Sequence, residues 1–418
     1  MMPAEERAVR GMSLPLAFAF AVAMWAVGYV GRFPGVEAPP ALLGTVFLLL
    51  YVAAGAAVRA LGGPFRQAVA VGVGASAINL LILGSLLGER PGPSLAVAVP
   101  GALLAGAVLA GAGFSLARPL PGAQPVPWDA MFARVAVAAT FLLVVAGGLV
   151  TSHGAGLAVP DWPNSFGSNM FLFPLSRMTG GVYYEHAHRL FGSLVGLTTL
   201  ALAFYLSRRS HPRWVKAFAW GLAATVVVQG IFGGLRVTGR FTLAQDPSLL
   251  SPSLALAAVH GVLGQLFFSG LVALATVLSP RWAAREPQVA SPLWPRMLWG
   301  LLVVQLVLGA LQRHFSRGIL VHITLATLVL LVAVLGGAGL VARRRPPLTP
   351  AGKALLVVVG VQVVLGFAAF WLRGFPAGQR ARSPWEVLLV TGHQALGAVL
   401  LALATVILVW SWPSRVRG

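Results

Sequence analysis

Apolar residues come in long runs separated by short polar intervals. A helix that crosses a bilayer needs roughly 20 predominantly apolar residues. Twelve runs are candidates: 13–30, 41–58, 67–87, 95–117, 131–150, 183–206, 217–235, 254–278, 297–312, 319–341, 354–372 and 386–410. The pattern predicts an all-α polytopic membrane protein with about 12 transmembrane helices. The first run follows Glu5, Glu6, Arg7 and Arg10 without a small-residue cleavage site, and is read as an uncleaved helix. The stretch Arg118–Trp128, with prolines at 119, 121, 125 and 127, reads as a linker. Residues 1–118 are expected to be an N-terminal four-helix membrane module.

The last eight runs repeat internally. Gln229-x-x-x-Gly233 lies 31 residues before His260, and Gln362-x-x-x-Gly366 lies 31 residues before His393. Gln305-x-x-x-Gly309 is followed five residues after its glycine by His314, and Val144-x-x-x-Gly148 in the same way by His153. Two pseudo-symmetric four-helix bundles are therefore expected, 129–280 and 292–412. From Val144 to His188 is 44 residues and from Gln305 to His322 is 17, so the first copy holds 27 extra residues in its first loop. Function is expected to be asymmetric there.

Composition narrows the chemistry. Of the residues 58% are hydrophobic and 10% charged, against about 25% charged in soluble domains. The net charge of +20 falls in short clusters between apolar runs, which is a membrane pattern and not that of a nucleic-acid binder. Two clusters, Arg208, Arg209, Arg213 and Lys216, then Arg343, Arg344, Arg345 and Lys353, place both termini in the cytoplasm by the positive-inside rule. The loop 151–182 then faces outward. There is no cysteine, which excludes disulfides, thiolate metal sites and covalent c-type haem.

Four of the eight histidines form a pattern. His188, His260, His322 and His393 each lie near the outward start of an even-numbered helix of the eight, on the order of 10 Å deep at 1.5 Å per residue. Each is followed four residues later by Gly192, Gly264, Ala326 or Gly397, on the same helix face, where a small side chain leaves room for a flat ring. One intramembrane histidine is as easily a helix-packing hydrogen-bond partner. Four at matched depth point to axial ligation of haem iron in two pairs; a zinc ion would gather three or four ligands at once. Glu185 precedes His188 by three residues. It is either an acid–base group beside the first haem or an i,i+4 partner of Arg189. His186 lies about 200° round the helix from His188, outside that ligand role. His211 is a solvated loop residue. His153 and His314, at equivalent helix ends, either touch propionates or cap helices.

The stretch Gly154-Ala-Gly-Leu-Ala-Val-Pro-Asp-Trp-Pro163, followed by Glu185-His-Ala-His-Arg189, resembles the haem A synthase family, over roughly 130–410. The resemblance implies oxidation of a ring methyl of haem O to a formyl group, making haem A for terminal oxidases. It implies Glu185 as the catalytic residue, His188 and His260 on the iron of the substrate haem O, and His322 and His393 on the iron of a haem b cofactor. Arginines suit haem propionates through bidentate contacts: Arg189 and Arg236 on the substrate side, Arg313 and Arg317 on the cofactor side, with Arg240 nearby in the same loops. Expected partners are haem O, a haem O synthase, a membrane electron donor or acceptor and the lipid bilayer. The expected place is a bacterial-type inner membrane, with the haem sites near the outer face. Many family members have a cysteine pair in the first outer loop, so thiol chemistry proposed for them cannot operate here. Ile319 stands where the first copy has Glu185. The alternative reading is a b-type haem electron carrier or haem transporter without catalysis.

Overall fold

The computed structural model describes residues 11–87, 94–122, 124–238, 253–285, 293–344, 348–373 and 383–412. Arg240 lies outside them. Twelve helices among the described residues are long and apolar enough to cross a membrane, one for each expected run. They are α1 (Ser13–Gly31), α2 (Pro40–Ala60), α3 (Phe65–Leu87), α4 (Leu95–Leu116), α5 (Trp128–Ser152), α6 (Gly180–Ser207), α7 (Arg213–Thr238), α8 (Leu254–Val277), α9 (Leu293–Phe315), α10 (Ile319–Ala342), α11 (Leu348–Arg373) and α12 (Pro384–Trp410). The chain is an all-α, multi-pass membrane protein. In lipid a helix satisfies its own backbone groups, and this makes it the form such apolar runs take.

The contacts divide the chain into two compact units, Met1–Ala139 with Pro163–Ser210, and Thr140–Trp162 with His211–Gly418. In the first unit α1–α4 pack on one another, around Met12, Leu16, Ala54, Val58, Ala68, Val71 and Phe114. Gly55 of α2 lies against the backbone of Ala110 in α4, and Gly106 of α4 against that of Gly72 in α3. Lipid gives helices no hydrophobic reason to associate, so such close backbone approach supplies the contact. A polar cluster accompanies it: Trp25 Nε1 donates to Asn79 Oδ1 (3.0 Å), and Asn79 Nδ2 and Ser76 Oγ both donate to the Tyr51 hydroxyl (3.0 Å each).

Helix α6 belongs to the same unit and packs on α1 and α3. The α1 contact is aromatic. Tyr29 stacks on Tyr183 with centroids 5.4 Å apart, Trp25 and Tyr29 meet Phe191 edge-on at 5.6 and 5.4 Å, and Phe33 meets Tyr184 at 5.7 Å. The Tyr183 hydroxyl donates to the Tyr29 carbonyl. Ahead of α6 a small antiparallel hairpin pairs Asn164–Ser165 with Ser168–Asn169. Its two-residue turn puts both Phe166 and Gly167 at positive φ (51° and 75°), as a type I′ turn requires.

In the second unit α9–α12 close into a four-helix bundle, and α8 packs on α7, α9 and α12. The bundle core is Leu298, Leu302, Val329, Ala333, Leu340, Leu355, Val359, Leu400, Leu401, Ala404 and Ile407.

Candidate functional site

All four patterned histidines lie within the first ten residues of their helices, α6, α8, α10 and α12. On α6 Glu185 is buried, at 4% exposure. Arg189 Nη2 donates to its Oε1 at 2.8 Å, one turn along. The other guanidinium end, Nη1, donates to the Asn164 carbonyl in the hairpin (3.2 Å). The i,i+4 ion pair is thus formed, and it fixes the carboxylate on the side of the helix that bears His188. Gly192, one turn beyond His188, faces open space where a Cβ would stand.

The second residue of the motif has a different job. His186 is fully buried at 0% exposure. Its Nδ1 shares a hydrogen bond with Ser165 Oγ at 3.0 Å, and its ring lies 4.9 Å from that of Phe173. Phe173 in turn stacks on Phe166 at the hairpin tip (5.5 Å). His186 therefore ties the inserted loop to α6. Nothing in the sequence spacing shows this, because the partner comes from a hairpin that alternation over two-residue strands does not reveal.

In the second unit one arrangement occurs three times, each time between consecutive helices. Gln229 Nε2 on α7 donates to the His260 carbonyl on α8 at 3.0 Å. Gln305 Nε2 on α9 donates to the His322 carbonyl on α10 at 3.0 Å, and also stands 3.3 Å from the His322 Nε2. Gln362 Nε2 on α11 stands 3.4 Å from His393 Nε2 on α12. The glycine four residues after each glutamine makes room for the ring. A Cβ there would stand 3.5 Å from His260 Cε1 at Gly233, 3.3 Å from His322 Cε1 at Gly309 and 2.9 Å from His393 Cε1 at Gly366. The fit is reciprocal. At Gly264 and Gly397, each four residues after its histidine, a Cβ would meet the amide of Gln229 (2.9 Å) and of Gln362 (3.3 Å). The small residues expected to leave room for a flat ring thus make room for a glutamine on α8 and α12, while Gly192 on α6 is open.

The arginines separate. Arg236 lies over Gly156, and Trp162 lies on Gly234, so the Gly154–Pro163 stretch through Trp162 wraps the end of α7. Arg313 Nη2 donates to the buried Ser152 Oγ (2.9 Å), which meets Thr391 Oγ1 at 3.0 Å, two residues before His393. Arg317 is exposed. His153 Nδ1 bonds the Leu149 carbonyl at 2.9 Å, closing the end of its own helix. Among the described residues no three His, Asp or Glu side chains gather as a bare metal ion would need.

No curated protein matches the chain. A family model does, over residues 130–321, which takes in Glu185, His188, Arg189, Arg236, His260, Arg313 and Arg317 and stops one residue before His322. This is the assignment to which the Glu185-His-Ala-His-Arg189 motif pointed. Over residues 130–321 the chain is similar to the COX15-CtaA family, described as cytochrome oxidase assembly protein.

Proposed function

We propose that the chain is a haem A synthase, oxidising a methyl group of haem O to a formyl group. The observation that supports this most is the set of histidines in a cysteine-free membrane domain similar to that family. Three sit in glycine-floored seats. The fourth shares its helix face with a buried carboxylate. The donor type suits a porphyrin iron: imidazoles on apolar helices.

On this reading His322 and His393 hold haem b, and His188 and His260 hold the haem O substrate. Haem b, when bound, supplies one-electron redox chemistry. Methyl oxidation also releases protons, and on this reading Glu185 would take one. Arg189 holds the carboxylate in place through the 2.8 Å contact. Arg189 and Arg236 would face the substrate propionates, and Arg313 and Arg317 those of the cofactor. The haem sites lie towards the outer face of a bacterial-type inner membrane, both termini are cytoplasmic, and a haem O synthase and an electron donor or acceptor are the functional neighbours.

The test is pigment extraction after co-expression with a haem O source. Haem A in the extract is the expected result. Haem b alone, with no haem O converted, overturns the synthase reading and leaves an electron carrier or transporter.

A further inference from the structure

The three glutamines of the repeat have no role in the reading above, yet they are among the most regular features of the second unit. We infer that Gln229, Gln305 and Gln362 are positioning residues: each fixes the height and rotation of the histidine on the next helix, so that its imidazole is presented to iron before any haem arrives. The inference deepens the proposed function and rests on His322 and His393 being axial ligands.

Four observations support it. First, the donor end of the amide is used on the histidine in each case, on the main-chain carbonyl at Gln229, on both the carbonyl and the ring at Gln305, and on the ring at Gln362. Second, the ring atom approached at His322 and His393 is Nε2. An unprotonated ring nitrogen has one lone pair, so the amide holds the ring's rotation only until iron takes its place at that atom. Third, the Oε1 atoms of all three glutamines are buried without a hydrogen-bond partner. Leaving a buried acceptor unmet costs about 1–3 kcal/mol. A side chain kept only to fill space would avoid that cost as leucine or methionine. Fourth, the exchange with glycine is reciprocal. The ring lies over the glycine that follows the glutamine, and at Gly264 and Gly397 the amide lies over the glycine that follows the histidine. A ring seated in this way cannot turn without lifting off the facing backbone. Partners behind a metal-bound histidine set its tautomer and orientation, and their loss typically lowers affinity by about 10- to 100-fold.

The experiment uses the purified full-length holoprotein and follows the haem b centre. Gln305→Met and Gln362→Met keep volume and remove the amide; Gln305→Glu and Gln362→Glu keep shape and replace the donor by a carboxylate. All four are expected to gain a high-spin component in the optical and electron paramagnetic resonance spectra, to shift the midpoint potential, and to lose haem b about 10- to 100-fold more readily. Gly366→Ala is expected to perturb the spectrum more than Gly309→Ala, because 2.9 Å forces the His393 ring to move whereas 3.3 Å asks only a small adjustment. Wild-type spectra and potential in the folded Met and Glu variants would overturn the positioning role. His322→Ala and His393→Ala separate the two ideas. If they too keep the wild-type spectrum, the ligand assignment itself is wrong. If they lose it while the glutamine variants do not, only the inference made here falls. Should a glutamine variant fail to accumulate, the order of the two glycine variants still decides: equal spectra, or the reverse order, count against a seated ring.

Discussion

Glu185 and Arg189 form one buried pair, and the two residues answer to different tests. The ion pair that the spacing allowed is present, with side-chain exposures of 5% and 9%. An ion pair and a catalytic role are compatible, since a carboxylate that must hold a proton briefly has to be fixed in place. Glu185→Gln is expected to leave both haem sites loaded while haem A yield falls by roughly 10²–10⁴-fold, the usual contribution of general acid–base catalysis. Haem O, or a partly oxidised form of it, should accumulate in the extract. Normal yield per folded molecule would remove Glu185 from the chemistry. Arg189→Gln leaves a buried carboxylate without its cation, which costs about 3–5 kcal/mol where a buried pair is broken. That variant is expected to lose thermal stability by more than Glu185→Gln does, read as the lower melting temperature of the two. At this scale the sequence was informative about identities and silent about partners. Intramembrane His and Glu are rare enough to stand out. The glutamines stood out only as a repeat, because their role depends on which helix faces which.

Among the elements, the inserted loop is where sequence reading stopped short. Its length was visible as 27 residues present in one copy and missing from the other. Its fastening was not, because it depends on a tight turn at Phe166 and Gly167 that brings Ser165 to the His186 ring. Removing that ring takes away one buried hydrogen bond and the surface on which Phe173 rests. His186→Ala is therefore expected to loosen the hairpin while leaving α6 intact. In reconstituted vesicles, protease cleavage within 163–178 should rise several-fold, with the haem b spectrum unchanged. Cleavage no faster than in the parent would show that the loop is held by other contacts. The helices themselves were legible, since a span of apolar residues in lipid has few alternatives to a helix. Their ends moved by a few residues: α6 starts at Gly180, with Gly-Gly-Val ahead of the expected start at 183, and α11 at Leu348, with Thr349 and Lys353 ahead of the expected start at 354.

For the molecule as a whole, the N-terminal helices share a compact unit with α6. Hydropathy marked residues 1–118 as separate because it sees runs and linkers. It cannot see that Trp25, Tyr29 and Phe33 of α1 are complementary to Tyr183, Tyr184 and Phe191 of α6. Aromatic pairs of this kind add about 0.5–1.5 kcal/mol each beyond their area. A chain that starts at residue 119 is expected to keep the haem b centre, whose ligands and seats lie in the second unit. Haem A formation should fall, because the helix that bears Glu185 and His188 has lost its neighbours. Loss of the haem b spectrum together with activity would mean that the N-terminal helices support the whole protein; full activity would mean that the aromatic contact is dispensable.

The three glutamine–histidine seats all join consecutive helices, α7 with α8, α9 with α10, and α11 with α12. Moving one helix past its neighbour by a single residue would shift a histidine by about 1.5 Å and turn it by about 100°, which breaks the amide bond and takes the ring off its glycine together. Each seat is therefore a register lock that a two-helix hairpin closes alone. A chain threaded into the bilayer hairpin by hairpin has its imidazoles at the right depth as each pair arrives, before the bundle closes. Under the proposed function, haem would then insert between pieces already aligned.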